Sequence, residues 1–331
     1  MQEDIRVIIF GVGGVGTGII KNLVKRNGIK VVAAIDPDPN KVGKDIGILI
    51  GSDPMGVAIV KEPKEIIGKV EADVVLNVGF PCDVKDTFEH MKWAIENKMN
   101  VIVASAETSN LWFTDSALAE EIDHYCKKWG VSYLGAGATQ TEERFIIAMT
   151  EGSTDVESIE FTHHADVQAF SDESNAAEWG ITLTKEQYDK GIAEGTVKSK
   201  EDLKSSVPYL ANALGWEIDD VTLEKVLTED ENGKIYGFTG IVRGFEKGVC
   251  RLQLSYEMFI DPKREYFDHL VIKGVPMVDS MNNYTPDRGL AATIGAISNA
   301  IAYIIKSPAG YVNSLTAPAF GIILDDYRKH I

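Results

Sequence analysis

A strand that runs directly into a glycine-rich turn is the feature that most restricts how this chain can fold. Residues 5–10 read IRVIIF, positions 11–16 read GVGGVG, and an amphipathic stretch comes next. In a G-x-G-x-x-G turn, Gly11 permits the tight turn, Gly13 lets the backbone approach a pyrophosphate, and Gly16 lets helix and strand pack closely. Free N–H groups at the start of the next helix favour phosphates. We therefore predict a dinucleotide site at Gly11, Gly13, Gly14, Val15 and Gly16. The structural alternative is a glycine turn without a ligand.

The second predicted strand ends in an acidic residue. Residues 30–35 read KVVAAI, and Asp36 comes directly after them, 20 residues after Gly16. An acid at this place usually holds the ribose diol of the cofactor, and its charge favours NAD because it repels a 2′-phosphate. Lys41 and Lys44 are close in sequence, so use of NADP stays open. The alternative is a structural role, in which Asp36 caps a turn.

The spacing of apolar runs predicts an α/β fold with a doubly wound parallel (Rossmann) sheet and a second α+β domain. The early strands lack polar alternation, which is typical of parallel strands covered on both faces. We predict strands at 5–10, 30–35, 74–78, 101–104 and 131–134, and helices at 18–26, 88–97 and 115–129. The predicted domains are 1–137 for the dinucleotide, 138–288 for substrate and dimerisation, and 289–331 as a C-terminal helix that returns to the first domain.

The pattern changes after about residue 137. A strand is predicted at 156–164, and residues 172–232 are rich in charge and in helix formers. Alternating runs at 236–245, 249–259 and 266–272 predict antiparallel strands. An apolar helix is predicted at 290–305.

Charge and composition exclude several classes of protein. The chain of 331 residues has 33 Lys+Arg against 50 Asp+Glu, a net charge of −17. This balance argues against nucleic acid and against an anionic membrane surface as partners. Three cysteines at unrelated spacings do not form a disulfide framework or a zinc motif, and we predict no metal site. The acidic N-terminus does not resemble a signal peptide, so the expected location is the cytoplasm.

Ligands of doubly wound sheets bind where the strands end, so the residues after each strand are the candidate site. Gly79 and Phe80 come after the strand at 74–78 and are expected to contact the cofactor. Glu107 comes after the strand at 101–104 and is the only charged side chain just after the strands at 74–78, 101–104 and 131–134. A carboxylate there suits a substrate that becomes cationic, such as an amine or iminium. A helix N-terminal carboxylate is the structural alternative.

Four further residues are candidates for the substrate pocket: Thr139, Gln140, His163 and Phe170. Thr139 and Gln140 come after the strand at 131–134. His163 and His164 are adjacent in a strand and must point to opposite faces, so one is expected to be buried and the other exposed. A structural histidine in the core or at the surface is the alternative for each.

Several segments together resemble the family of 2,4-diaminopentanoate dehydrogenase and related amine dehydrogenases. They are IIFGVGGVGTGI at 8–19, VGKDIG at 42–47, Glu107 after its strand, LGWE at 214–217 and ATIGAISNAIAYIIKSPAGYV at 292–312. The resemblance implies NAD(P)-dependent oxidative deamination of an amine, reversible as reductive amination of a ketone with ammonia. It also implies a homodimer and Glu107 as the catalytic carboxylate. Where the family has Asn-Pro-Gly after the sixth strand, this chain has Thr139 and no proline, so we expect an altered substrate pocket.

Two other functions stay open. The run EFTHH at 160–164 is similar to the paired-histidine strand of dihydrodipicolinate reductase. That family has a lysine three residues after the second histidine and then Pro-Ser-Gly-Thr, whereas this chain has Val167 and no such loop. Without those donors a dicarboxylate would be left unpaired, which counts against this activity. The other alternative is a dinucleotide sensor without catalysis.

Overall fold

The computed structural model describes residues 3–79, 83–105, 107–167, 176–177, 179–197, 201–261, 263, 265–284, 288–313 and 317–331. The chain forms two compact units. The first contains Met1–Thr141 and Ala292–Ile331, and the second contains Glu142–Ala291. Both the first and the last segment of the chain therefore belong to the same unit.

Strands and helices are numbered in chain order. The strands are β1 (Ile5–Phe10), β2 (Ile29–Ile35), β3 (Ile59–Val60), β4 (Val74–Asn77), β5 (Asn100–Val103), β6 (Ser132–Gly135), β7 (Asp155–Asp166), β8 (Asp220–Glu229), β9 (Ile235–Glu246), β10 (Val249–Phe259), β11 (Phe267–Val275), β12 (Val278–Asn283) and β13 (Gly310–Val312). The helices are α1 (Gly14–Leu23), α2 (Ile46–Leu49), α3 (Val84–Glu96), α4 (Leu111–Thr114), α5 (Ser116–Trp129), α6 (Ala138–Thr150), α7 (Lys185–Glu194), α8 (Ser206–Leu214) and α9 (Arg288–Lys306).

The first unit is built on a parallel sheet with the order β13-β6-β5-β4-β1-β2-β3. Its strands pair in parallel throughout the described residues. This order reverses between β1 and β4, and such a switch point is where doubly wound sheets bind their ligands. The predicted fold class is confirmed.

Both faces of this sheet are covered. Successive residues Ile8 and Ile9 of β1 are 1% and 0% exposed, yet they belong to different core clusters on opposite faces. Ile9 packs in the cluster that contains Ile301 of α9, and Ile8 packs in the cluster that contains Phe88 of α3. This double coverage explains why the strands are continuous apolar runs.

The second unit is built on a mixed sheet with the order β12-β11-β7-β10-β9-β8. Strand β7 pairs in parallel with β10 and antiparallel with β11. The neighbouring β9–β10 and β8–β9 pairs are antiparallel. One face is deeply buried, with Phe161, Leu254 and Leu270 at most 1% exposed.

The structure differs from the sequence-based expectations in several places. Helix α1 begins at Gly14 rather than at residue 18, because the last glycines of the turn already adopt helical geometry. Helix α6 forms at Ala138–Thr150, where no helix was predicted. Strand β8 occupies part of the charged segment 172–232, because Val221, Leu223 and Leu227 alternate with polar residues on an edge strand. Among the described residues, the helices are all too short or too polar to cross a bilayer.

Candidate active site

The loop after β1 and the loop after β4 touch backbone to backbone. Gly11 has a φ of +98°, a conformation that side chains rarely adopt. A Cβ atom on Gly11 would lie 2.2 Å from Gly79 Cα, and one on Gly79 would lie 2.2 Å from Gly11 Cα. A Cβ on Gly16 would lie 2.0 Å from the carbonyl oxygen of Gly11. Gly11, Gly16 and Gly79 therefore fix the shape of the turn by the absence of a side chain.

The other glycines leave space for a ligand. Gly13 is the N-cap of α1, and it has no side chain with which to occupy the N–H groups of the first turn. Apart from the neighbouring residues and the backbone of α1 itself, no described atom lies within 4 Å of the position of a Cβ on Gly13 or Gly14, and both glycines are exposed. Val15 packs partly against the core. An exposed helix N-terminus with bare backbone suits a pyrophosphate, so the chain's residues fit a dinucleotide here.

Asp36 lies at the end of β2 and is 6% exposed. Its carboxylate accepts hydrogen bonds from the N–H groups of Val12, at 2.8 Å, and Asp38, at 3.0 Å. The ammonium of Lys41 lies 2.9 Å from Asp36 Oδ2. Burial opposes ionisation, but the Asp38 N–H, the Lys41 ammonium and the Val12 N–H together hold the pKa of Asp36 below its usual value. Asp36 is therefore an ionised carboxylate beside the glycine turn.

Glu107 opens a short 3-10 turn directly after β5, at the same edge of the sheet. Its carboxylate is partly exposed and accepts a hydrogen bond of 3.0 Å from the Ser105 hydroxyl. The backbone N–H of Thr108 donates to the same hydroxyl oxygen at 3.2 Å. Ser105 thereby links the carboxylate to the backbone of its own loop.

Three residues from other elements hold this loop. A Cβ on Gly135 of β6 would lie 2.8 Å from the backbone nitrogen of Ser109, so only glycine lets the loop pack against that strand. The side-chain amide of Gln140, on α6, donates to the Ser109 hydroxyl. The hydroxyl of Tyr311 donates to the carbonyl of Thr108 and accepts from the Leu111 N–H at 3.1 Å. Burial raises the pKa of Tyr311, so its hydroxyl keeps the proton that it donates.

The other predicted pocket residues are distributed between the two units. Gln140 is 3% exposed and holds the Glu107 loop, and Thr139 is partly buried next to it on α6. Phe80 and Phe170 lie outside the described residues. The roles of Ser105 and Tyr311 in holding the Glu107 loop were not predicted from the sequence. A serine two residues from a carboxylate was a usable signal for Ser105, but Tyr311 comes from a segment about 200 residues away and carried none.

His163 and His164 point to opposite faces of the second sheet, as their adjacency in a strand requires. His163 lies on the buried face, with Nδ1 2.7 Å from Asp268 Oδ1 and 4.0 Å from Glu142 Oε1. The Tyr284 hydroxyl donates to the other oxygen of Asp268 at 2.9 Å. Asp268 is completely buried. This is a polar network inside the second unit.

His164 lies on the other face, between two aromatic rings and two carboxylates, and it is partly buried rather than exposed as expected. Its ring stacks on Phe267 at 5.0 Å and on Phe259 at 6.0 Å. Nδ1 lies 3.0 Å from Glu257 and Nε2 lies 3.3 Å from Asp261. The hydrogen bond to Glu257 is the largest influence, and with Asp261 it raises the pKa of His164 against the effect of burial. The described residues contain no group of three His, Cys, Asp or Glu side chains arranged to hold a metal ion.

Comparison with known proteins assigns the two parts of the chain differently. The family model of the 2,4-diaminopentanoate dehydrogenase C-terminal domain matches residues 142–331. The model of the dihydrodipicolinate reductase N-terminus matches residues 5–133. The reductase model therefore ends before the second unit begins, and the dehydrogenase model covers that unit.

Individual relatives differ in how much of the chain they match. The chain is 28% identical to 2,4-diaminopentanoate dehydrogenase of Acetoanaerobium sticklandii over 100% of its own length and 98% of the relative. It is 33% identical to 4-hydroxy-tetrahydrodipicolinate reductase of Methanobrevibacter smithii, over 36% of this chain and 42% of the relative. The solved structure of an amine dehydrogenase from Mycobacterium smegmatis superposes with a TM-score of 0.84 at 21% identity, covering 98% of this chain and 99% of that one. This last match establishes a shared fold.

Proposed function

The chain belongs to the 2,4-diaminopentanoate dehydrogenase family, and we propose that it deaminates a small amine oxidatively, with Glu107 as the catalytic carboxylate. Membership makes it an NAD(P)-dependent oxidoreductase of the amine dehydrogenase kind. The assignment of Glu107 rests on the position of this residue in the sheet. It lies after β5 at the edge where the glycine turn lies after β1, and β5 is joined to β1 through β4 alone.

The proposed chemistry depends on a carboxylate held at this edge. An amine substrate reaches the site as an ammonium ion, which cannot lose hydride until it loses a proton. Glu107 accepts that proton, and the nitrogen lone pair of the neutral amine then stabilises the iminium. When bound, NAD(P) supplies the acceptor for the hydride of the amine carbon. Water adds to the iminium, the carbon–nitrogen bond breaks and the nitrogen departs as ammonium, which leaves the ketone. The reverse sequence is reductive amination of a ketone with ammonia.

Ser105 and Tyr311 make this role of Glu107 possible because they hold its carboxylate and its loop in place. The Ser105 hydroxyl holds one oxygen of Glu107 at 3.0 Å, and the buried Tyr311 hydroxyl fixes the carbonyl of the next residue, Thr108. A base held in one orientation needs little reorganisation when the proton is transferred. Neither residue exchanges a proton with the substrate in this proposal.

The substrate class is a small amine, with 2,4-diaminopentanoate as the first candidate because the full-length relative is named for it. Thr139 stands where the resemblance leads us to expect asparagine, and Gln140 beside it is engaged with Ser109. We expect this change to alter which amine is accepted and not the type of reaction. Thr139, His163 and Phe170 stay candidate pocket residues.

We propose that the chain prefers NAD to NADP as its cofactor. The preference comes from the ionised Asp36, whose carboxylate suits a ribose diol better than a 2′-phosphate. We further propose that the chain acts as a homodimer in the cytoplasm. The second sheet supports a dimer, since its other face carries partly exposed apolar residues such as Ile241 and Val271. Light scattering on a sizing column gives the mass that tests it.

The main test replaces Glu107 by Gln, which keeps the shape and removes the base. We expect turnover of the amine to fall by about 10²- to 10⁴-fold, the usual contribution of general base catalysis, with unchanged affinity for NADH. Glu120→Gln on the exposed surface of α5 is the matched control and should keep full turnover. Full turnover in Glu107→Gln would remove Glu107 from the mechanism.

A substrate panel separates the remaining functions. NADH formation is followed with 2,4-diaminopentanoate and simple amines, and NADH consumption is followed with ketones in the presence and absence of ammonia. Turnover of ketones that requires ammonia supports the amine dehydrogenase. Reduction of imine or enoate acceptors without ammonia would support the reductase suggested by residues 5–133. Tight NADH binding without any turnover would support a sensor.

A further inference from the structure

We propose that Lys41 is a specificity-determining residue for the cofactor: its ammonium neutralises Asp36 and is available to a 2′-phosphate, so that the site accepts NADP as well as NAD. The inference rests on one part of the proposed function, the binding of a dinucleotide at the glycine turn. It modifies the preference for NAD that Asp36 alone predicts.

Lys41 contacts the carboxylate of Asp36 directly. Lys41 Nζ lies 2.9 Å from Asp36 Oδ2 and 3.8 Å from Asp38 Oδ2. The Lys41 side chain is 27% exposed, whereas the Asp36 side chain is 8% exposed. The ammonium therefore sits at the mouth of the ribose site, with one side towards the carboxylate and one side towards solvent.

The carboxylate of Asp36 is already largely occupied. Its Oδ2 accepts from the Val12 N–H at 2.8 Å and from Lys41, and Oδ1 accepts from the Asp38 N–H at 3.0 Å. A carboxylate offers about four acceptor positions, so about one is left for a ribose diol. Two of the three partners are backbone N–H groups, one from the glycine turn and one from the segment after β2, and they cannot move away. Lys41 is the partner that a ligand can displace.

Lys41 also changes the charge that a 2′-phosphate would meet. Without Lys41, a group carrying about −1.5 to −2 charges would approach the carboxylates of Asp36 and Asp38. The ammonium of Lys41 offsets one of the two carboxylate charges. It can donate a hydrogen bond to a phosphate oxygen when it leaves Asp36. The Lys41 N–H is fixed to the Asp38 carbonyl at 2.9 Å, so the lysine is anchored beside the site while its side chain turns.

The test uses two fragments that differ only by the 2′-phosphate. Binding of 2′,5′-ADP and 5′-AMP to the full-length protein is measured by calorimetry for the wild type and for Lys41→Met, which keeps the length of the side chain. We expect the affinity for 2′,5′-ADP to fall about tenfold or more, the scale of one charged hydrogen bond. The affinity for 5′-AMP should change less than about threefold, because the backbone partners of Asp36 remain.

Two further variants keep the outcome interpretable. Lys44→Met removes an equal charge from an exposed position three residues further on and should leave the ratio of the two affinities unchanged. Lys41→Arg keeps the charge and should keep binding of 2′,5′-ADP. An unchanged ratio in Lys41→Met, or an equal loss in Lys44→Met, would overturn the inference.

Failure of the inference is distinguishable from failure of the proposed function. If the wild type binds 5′-AMP and NAD but not 2′,5′-ADP or NADP, the role of Lys41 is wrong and the dehydrogenase assignment stands. If the wild type binds neither fragment and neither dinucleotide, the glycine turn is not a cofactor site and both proposals fall.

Discussion

The two sheets of this protein carry their polar residues in different ways. In the parallel sheet of the first unit both faces are covered by apolar clusters, and the two charged residues of the candidate site, Asp36 and Glu107, stand just past the strand ends. In the mixed sheet of the second unit the polar network lies within the strands. His163 and Asp268 are 105 residues apart in the chain and meet at 2.7 Å on the buried face.

This difference shows where polar chemistry can be placed in each architecture. A strand covered on both faces has no position for a charge except its end, so the site collects at one edge. A strand with one buried face can carry a buried charge only if a neighbouring strand supplies a partner. The first arrangement depends on sequence order, and the second depends on register.

The largest effect is expected at the glycine turn. Gly11→Ala should destabilise the fold by about 2–5 kcal/mol, because the residue has a φ of +98° and its Cβ would overlap Gly79. Gly13→Ala is the matched variant, since its Cβ meets no described atom within 4 Å other than those of its neighbours in the chain. We expect Gly13→Ala to keep the stability and to lose affinity for NADH. Urea unfolding and NADH fluorescence titration measure the two effects, and equal destabilisation of both variants would contradict this distinction.

The next effect is expected in the buried network of the second unit. Asp268→Ala should lower the free energy of unfolding by about 3 kcal/mol, because His163 and Tyr284 lose the acceptor that they share. Lys273→Ala is the control in the same sheet. Its ion pair with Glu160 is exposed on the other face and should contribute little or nothing measurable. Similar midpoints for Asp268→Ala and wild type would show that the network is not structural.

The smallest effect is a dependence on pH at His164. Its pKa is raised in the folded state by Glu257 and Asp261, so the folded state holds the proton more tightly than the unfolded state. The resulting stabilisation is fully present below the unfolded pKa of about 6.5 and is lost as the pH rises through the higher folded value. The difference in melting temperature between wild type and His164→Gln should therefore be larger at pH 5.5 than at pH 9. A difference that grows with pH would contradict the assignment.

Much of the first unit was predictable from the sequence because its signals are local. The strands at 5–10, 30–35 and 101–104 and the acid after the second strand are encoded in short runs of residues. Strand β8 was missed because an edge strand needs only one apolar side, and Val221–Leu227 alternate within a charged segment. Helix α6 was missed because the glycines at 135 and 137 indicate a turn but do not specify the element after that turn.

The sequence by itself determined the parallel sheet, the glycine turn with its acid and the carboxylate after β5, since each depends on neighbours within a few residues. Only the tertiary structure decided what surrounds them. It brought Tyr311 to Thr108 and Gln140 to Ser109, and it placed Lys41 on Asp36. It also paired His163 with Asp268 through the register of β7 and β11. Contacts between distant segments form when the whole chain buries its apolar surface and pairs its buried polar groups at the same time. No short pattern of residues encodes that outcome.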